Sequence, residues 1–172
     1  MRRGVGRAIT AAAAAAVIVL AGCGGSRTSG GEPVTFTAGS LDGGTASTAD
    51  LRGKPLLLTS WATWCAACRE ELPRMERLYE QDRRRGLQMV AVNVNASGVD
   101  FRARRMISSL GLTMPVWSDP DDRFSVQFRA VGVPTSVLLD RNGRAVRIWQ
   151  GGFDPANQAD AQVVEQALGR TT

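Results

Sequence analysis

The pattern of apolar and polar residues predicts an α/β domain that begins at Val34. Two strongly apolar runs, at 56–61 and 87–94, are typical of buried parallel strands. The segment between them repeats its apolar side chains at helical spacing, which predicts a helix that begins near Ala66. The apolar positions of that helix are Cys68, Leu72, Met75 and Tyr79.

The second half of the domain predicts two further helices, a hairpin and a closing helix. Apolar residues at helical spacing fall within 103–110 and again within 121–129. A proline-led strand at 133–139 is followed by Asn142-Gly143, a strong signal for a hairpin, and by a returning strand. An amphipathic helix at 156–168 completes the pattern. This order predicts a central mixed β-sheet flanked by helices on both faces.

The start of the domain carries a weaker pattern. Val34 and Phe36 alternate with threonines, which predicts a short strand near the edge of the sheet. The Gly- and Thr-rich residues 39–48 that follow are typical of turns. We therefore assign the folded domain to residues 34–172.

The residues before Val34 predict an export signal followed by a tether. Residues 1–7 carry three arginines, and 8–21 form an Ala-rich apolar run. That run is shorter than the roughly 20 apolar residues that a membrane span needs. The junction Leu20-Ala21-Gly22-Cys23 resembles a bacterial lipobox, in which the cysteine is lipidated and becomes the new N-terminus. We predict a signal peptide at 1–22 and a lipidated Cys23 on a flexible tether at 23–33; an ordinary signal peptide is the alternative.

Charge argues against a nucleic-acid partner. The net charge is +5, and three of the positive residues, Arg2, Arg3 and Arg7, lie in the predicted signal peptide, which leaves +2. The remaining arginines are scattered along the sequence and form no basic stripe.

The chain contains no histidine, and this restricts its chemistry. Without histidine there is no Cys-His or Ser-His catalytic pair and no imidazole ligand for zinc or haem. Haem attachment also needs a histidine directly after the second cysteine of its motif, where this chain has Arg69.

If Cys23 carries lipid, Cys65 and Cys68 are the remaining pair of thiols. They follow a predicted buried strand and stand at the start of a predicted helix. Free N–H groups and partial positive charge at a helix N-terminus favour a thiolate, the attacking species in disulfide exchange. We expect Cys65 to be the exposed nucleophile and Cys68, one turn further, to resolve the mixed disulfide.

Other uses of the pair fit less well. A zinc site needs about four ligands, which two cysteines without histidine cannot supply. Extracytoplasmic copper carriers usually add a histidine. A structural disulfide that closes a two-residue loop constrains the unfolded chain little. Peroxidase chemistry of the peroxiredoxin kind is also disfavoured, because Ala62 stands where the Thr-x-x-Cys pattern requires threonine. We predict neither a metal nor a cofactor.

Two segments resemble the TlpA/ResA-like thioredoxin family. The first is Trp61-Ala62-Thr63-Trp64-Cys65-Ala66-Ala67-Cys68-Arg69-Glu70-Glu71-Leu72-Pro73, which is similar to the family's active-site segment. The second is Val131-Gly132-Val133-Pro134-Thr135, which is similar to the loop that precedes the family's cis-proline. The resemblance implies a thioredoxin-like fold with Pro134 cis beside the cysteines, and a Val133 backbone able to pair with an extended substrate.

The resemblance also implies roles for nearby residues. Glu71 matches a glutamate that ResA-like proteins carry beside the active site, and it is a candidate for proton relay or partner recognition. A surface glutamate near a helix N-terminus is the alternative. Thr59 stands where thioredoxins have a buried aspartate, and a hydroxyl cannot serve as a base near neutral pH. Trp64, next to Cys65, is expected to form an apolar rim for partners.

These expectations together describe an enzyme at the extracytoplasmic face of a bacterial membrane, anchored through Cys23. The resemblance implies that it reduces disulfides of exported proteins, with apocytochrome c cysteines before haem attachment as the best-known task. It also implies a membrane protein as electron donor. Alternatives are a dithiol oxidase that introduces disulfides and a non-catalytic lipoprotein that binds a partner or metal. Ala66-Ala67 between the cysteines leaves the direction of electron flow open, because these residues influence the thiol pKa.

The lipobox interpretation predicts the fate of a Cys23→Ser variant. The wild-type protein should begin at Cys23 and partition into membranes or detergent, and the variant should be released or stay uncleaved. Membrane fractionation with N-terminal mass analysis measures both. Soluble wild-type protein cleaved at another residue would contradict the interpretation.

Overall fold

A mixed β-sheet of seven strands forms the centre of the protein in a computed structural model, which describes Met1 and residues 31–169. The strands are β1 (Thr37–Ser40), β2 (Thr45–Ser47), β3 (Leu56–Trp61), β4 (Gln88–Asn93), β5 (Val116–Ser118), β6 (Thr135–Leu139) and β7 (Ala145–Gln150). The helices are α1 (Ala66–Asp82), α2 (Phe101–Ser109), α3 (Arg123–Phe128) and α4 (Gln158–Ala167). Short 3₁₀ segments lie at Thr48–Leu51 and Arg83–Arg85.

Strand β3 lies inside the sheet, whose order is β2-β1-β5-β4-β3-β6-β7. It pairs in parallel with β4 and antiparallel with β6, and all six of its residues are buried. Strand β4 pairs in parallel with β5, and β7 closes one edge by pairing antiparallel with β6. The active-site segment therefore leaves the sheet from one of its most enclosed strands.

Both faces of the sheet are covered, which confirms the predicted architecture. Alternate residues of β3 enter different apolar clusters, with Leu57 in one and Leu58 in the other. The Leu57 cluster contains side chains of three helices, Met75 of α1, Ala103 of α2 and Val164 of α4. The Leu58 cluster contains the two phenylalanines of α3, and their rings contact Phe36.

The prediction for the first residues of the domain was wrong in its boundaries. Val34 and Phe36 precede β1, and the segment 39–48 contains the end of β1 and the whole of β2. The two strands form an antiparallel hairpin, and Gly43 and Gly44 adopt positive φ angles of 104° and 73° in its turn. These turn glycines dominate the composition of the segment, while the flanking strands are too short to show an alternating pattern.

Strand β5 is a further element that the sequence pattern did not predict. It is three residues long and follows Pro115, and it joins the sheet through parallel pairing with β4 and antiparallel pairing with β1. Three residues show no measurable period, so only tertiary pairing defines this strand.

The predicted signal peptide beyond Met1, the predicted lipidation site Cys23 and nearly all of the predicted tether lie outside the described residues. Within the described part of the chain, no helix is long and apolar enough to cross a membrane.

Candidate active site

The two cysteines lie at the N-terminus of α1, as predicted, and form a disulfide with their Cα atoms 5.3 Å apart. Strand β3 ends at Trp61, and the short loop that follows brings Cys65 to the N-cap position of the helix. The Cys65 Sγ accepts a hydrogen bond from the backbone N–H of Cys68 at 3.0 Å. The sulfur thus occupies the place where a capping oxygen usually satisfies a free N–H group, and the same contact would stabilise a thiolate.

The expectation that Cys65 is exposed was wrong for the disulfide form. Cys65 is 5% exposed and Cys68 is 1% exposed, so both are buried and Cys65 is the more accessible. The cause is the loop that precedes β6, whose Val133 carbonyl oxygen lies 3.6 Å from Cys65 Sγ. Cys65 is the more exposed of the two cysteines, as predicted, but only a small part of its surface is open to solvent.

Pro134 lies beside the disulfide, and the Val133–Pro134 peptide bond is cis, which confirms that expectation. Pro134 is buried and Val133 is half-buried. The next residue fixes the loop to the sheet, because the Thr135 N–H donates to Ser60 Oγ at 3.1 Å and the Thr135 hydroxyl donates to the Gly132 carbonyl at 2.7 Å. The Val133 carbonyl is thereby held next to the reactive sulfur.

Glu71 is buried, at 4% exposure, so the alternative of a surface glutamate was wrong. Its Oε1 atom accepts hydrogen bonds from the hydroxyls of Thr59 and Ser136 and from the N–H of Phe153, each at 3.3 Å. Burial raises the pKa of the Glu71 carboxyl, and these hydrogen bonds oppose that rise in part. The site therefore holds a carboxyl group that keeps its proton to higher pH than an exposed glutamate does.

Thr59 contributes to the site through this carboxyl group. Its hydroxyl accepts a hydrogen bond from Ser136 at 3.0 Å and donates to Glu71. Thioredoxins have their aspartate six residues before the first cysteine. Here Thr59 occupies that position, and its hydroxyl holds the carboxyl group of Glu71, which belongs to α1. Nothing in the sequence indicated this contact or that of Ser136 with Glu71.

Gly152, in the segment after β7, also contributes to the site, and no pattern in the sequence indicated this. A Cβ atom at this position would lie 2.0 Å from Glu71 Oε2 and 3.0 Å from Pro134 Cγ, and the backbone has φ +103°. Both constraints require glycine. Because a Cβ atom at residue 152 would meet both groups, the Glu71 carboxyl and the cis-proline are close neighbours.

The two tryptophans of the active-site segment have opposite environments. Trp61 is fully buried at the end of β3, and Trp64 is 73% exposed next to Cys65. The loop between them is held by the backbone N–H of Thr63, which donates to Asn95 Oδ1 at 3.0 Å. Trp64 therefore projects from an ordered loop at the entrance to the disulfide.

The site contains two sulfurs and a carboxyl group, which is sufficient for thiol–disulfide exchange. Among residues 31–169, no three cysteine, aspartate or glutamate side chains are grouped so that they could hold a metal ion.

Comparisons with known proteins agree with this chemistry. The model of the AhpC/TSA family matches residues 30–148. The thiol–disulfide oxidoreductase ResA of Halalkalibacterium halodurans is 29% identical over 124 residues, which are 72% of this chain and 69% of that protein. ResA of Geobacillus thermodenitrificans is 32% identical over 116 residues, 67% of this chain and 66% of that protein. The matched region thus spans about two thirds of these relatives.

Solved structures show the same relationship. A crystal structure from Chlorobium tepidum, described as a DsbE-type thiol:disulfide interchange protein, superposes with a TM-score of 0.72 at 30% identity. The superposition covers 81% of this chain and 97% of that one. The family match, the shared fold and the Cys65–Cys68 disulfide lead to one conclusion: the chain belongs to the AhpC/TSA family, as a ResA/TlpA-like thiol–disulfide oxidoreductase of thioredoxin fold.

Proposed function

We propose that this protein reduces disulfides of exported proteins at the extracytoplasmic face of a bacterial membrane, to which Cys23 anchors it. The redox part of this proposal rests on the hydrogen bond that Cys65 Sγ accepts from the N–H of Cys68 at the start of α1. The export signal and lipobox in the sequence support the location. The TlpA/ResA-like resemblance supports disulfides of exported proteins as substrates, including those formed by apocytochrome c cysteines before haem attachment.

The reaction proceeds in two exchanges. In the reduced enzyme, the Cys65 thiolate attacks one sulfur of the substrate disulfide, so a Cys65–substrate bond forms and the substrate S–S bond breaks. The departing substrate thiolate takes a proton. Cys68, as thiolate, then attacks Cys65 Sγ, which forms the intramolecular disulfide and releases the second substrate thiol. Two electrons pass to the substrate, and a reduced dithiol protein of the membrane restores the enzyme.

Glu71 serves in this cycle as a proton-holding group near the cysteine pair. A thiol must lose its proton before each attack, and the leaving thiolate must gain one. Burial raises the pKa of Glu71, which brings its titration closer to that of a cysteine thiol. Thr59 and Ser136 keep the carboxyl in place during these steps.

The direction of electron flow follows from the reduction potential of the Cys65–Cys68 pair. We expect a value near that of thioredoxin, about −270 mV, as a reductase requires. Equilibration with glutathione or dithiothreitol buffers, followed by mass analysis of alkylated protein, measures it. A value near that of DsbA, about −120 mV, would instead identify a dithiol oxidase.

The order of attack predicts different behaviour of two cysteine variants. Cys68→Ser should accumulate mixed disulfides with substrates through Cys65, because the resolving thiol is absent. Cys65→Ser should accumulate few, since Cys68 is the more buried of the two. Non-reducing electrophoresis of each variant after incubation with a disulfide substrate measures the difference. Equal trapping would reverse the assigned roles, and trapping by neither variant would favour the non-catalytic alternative.

Glu71→Gln should change the pH dependence of the cysteines. Above its raised pKa, ionised Glu71 opposes thiolate formation, so the variant should show a lower apparent cysteine pKa. The rate of iodoacetamide alkylation of the reduced protein against pH measures this.

The same variant has a stability signature with a definite sign. Because the folded-state pKa is raised, the contribution of Glu71 to wild-type stability decreases as pH rises from the ordinary carboxyl value of 4.5 through the raised pKa. In the Glu71→Gln variant this decrease should be absent. The free energy of unfolding in urea, measured across this pH range, tests it. Glu70→Gln is the matched control, because Glu70 is adjacent and exposed. Superimposable curves for wild type and both variants would remove Glu71 from the mechanism.

A further inference from the structure

A groove of about 640 Å³ opens between the loop that precedes Cys65 and helix α2. We call it the arginine groove, and its main residues are Thr63, Trp64 and Arg69 on one side and Phe101, Arg102 and Arg105 on the other. Trp64 is adjacent to Cys65 in the chain, so one wall of the groove is a single residue away from the reactive cysteine. A partner whose cysteine contacts Cys65 would therefore pass along it.

Two aromatic rings in the arginine groove lie open to solvent. Trp64 is 73% exposed and Phe101 is 66% exposed, although removing an aromatic ring from water is energetically favourable. Exposed aromatic residues of this kind commonly anchor protein partners. Val131, in the loop before Pro134, is 87% exposed and adds an apolar side chain to the same end of the molecule.

Three guanidinium groups surround these rings. Arg69 donates to the Thr63 carbonyl at 2.7 Å, which fixes it against the loop that carries Trp64. The guanidinium of Arg102 lies 5.7 Å from the centre of the Phe101 ring, and Arg105 lies one turn along α2. Among the described residues, the ion pairs involve other arginines, at positions 74, 85 and 123.

The positive charge of the arginine groove is largely unbalanced by carboxylates. The main groove residues include none, and the neighbouring Asp100 is used to cap α2, where it accepts from the N–H groups of Arg102 and Ala103. Asp100 also attracts Arg102, so the net excess falls on Arg69 and Arg105. An anionic partner would supply the missing charge, and Arg is suited to binding carboxylates with two hydrogen bonds.

We infer that the arginine groove binds an acidic, extended segment of the substrate protein, next to the cysteine that reacts with Cys65 and with an apolar residue against Trp64 and Phe101. This inference rests on the proposed thiol–disulfide exchange with protein substrates. Charge complementarity and continuity with Cys65 select this occupant. The groove would thereby choose among exported proteins by the charge of the residues that flank their cysteines.

The test compares two synthetic peptides that share one disulfide and a tryptophan beside the reactive cysteine. Glutamates flank the cysteine in one peptide and lysines in the other. We expect reduced wild-type protein to show a higher kcat/KM for the acidic peptide, by about two- to fivefold for each arginine engaged. The preference should shrink at high ionic strength, because exposed charge pairs are screened.

Arg105→Gln should lower the ratio of acidic to basic kcat/KM, and Trp64→Ala should lower kcat/KM for both peptides. Arg104→Gln is the matched control, since it removes the same charge from an exposed position of α2 outside the groove. It should leave the ratio unchanged. For the two arginine variants the readout is a ratio within one variant, so a loss of folded protein does not alter it; for Trp64→Ala, kcat/KM is expressed per mole of folded protein.

Two outcomes would overturn the inference. One is an equal kcat/KM for the two peptides with wild-type protein, and the other is the same loss of preference in Arg104→Gln and Arg105→Gln. In the first case, Arg105-dependent binding to phosphatidylglycerol vesicles would assign the groove to an anionic membrane surface. Failure of wild-type protein to exchange with either peptide would contradict the proposed function, which separates the two failures.

Discussion

The contact between the Cys65 sulfur and the N–H of Cys68 is the constraint on which the site depends. It requires β3 to end at Trp61, a short loop to follow, and α1 to begin at Ala66. A shift of the helix start by one residue would rotate the capping position by about 100° and remove the sulfur from the free N–H groups. The enclosed position of β3 in the sheet fixes this arrangement, because all of its residues are packed on both faces.

Glu71 connects the same helix to the rest of the fold. Its carboxyl group joins α1 to β3 through Thr59, to β6 through Ser136, and to the segment after β7 through Phe153. These strands also position Cys65 and Pro134. The proton-holding group and the sulfur pair are therefore supported by shared elements, so their relative geometry is set by the core of the sheet.

The parts of the site that depend on local sequence could be predicted, and those that depend on tertiary contacts could not. The start of α1, the Cys65–Cys68 pair and the cis-proline are encoded in short motifs. The burial of Glu71 arises from strands far apart in sequence, and the need for Gly152 arises from the position of Glu71. The groove at α2 likewise has no sequence signature, because Arg69 lies more than thirty residues before Arg102 and Arg105. Strand β5 is too short for any pattern.

The narrow opening at Cys65 limits how fast the disulfide can react with the small molecules around it. A sulfur that is only 5% exposed under the Val133 carbonyl presents little surface to small thiols and oxidants that meet it by random collision. Exchange rates depend on such access as well as on pKa. The fold thus limits the collisional access of small thiols to the disulfide, so under the proposed function electrons would enter the pair from proteins that dock at this opening.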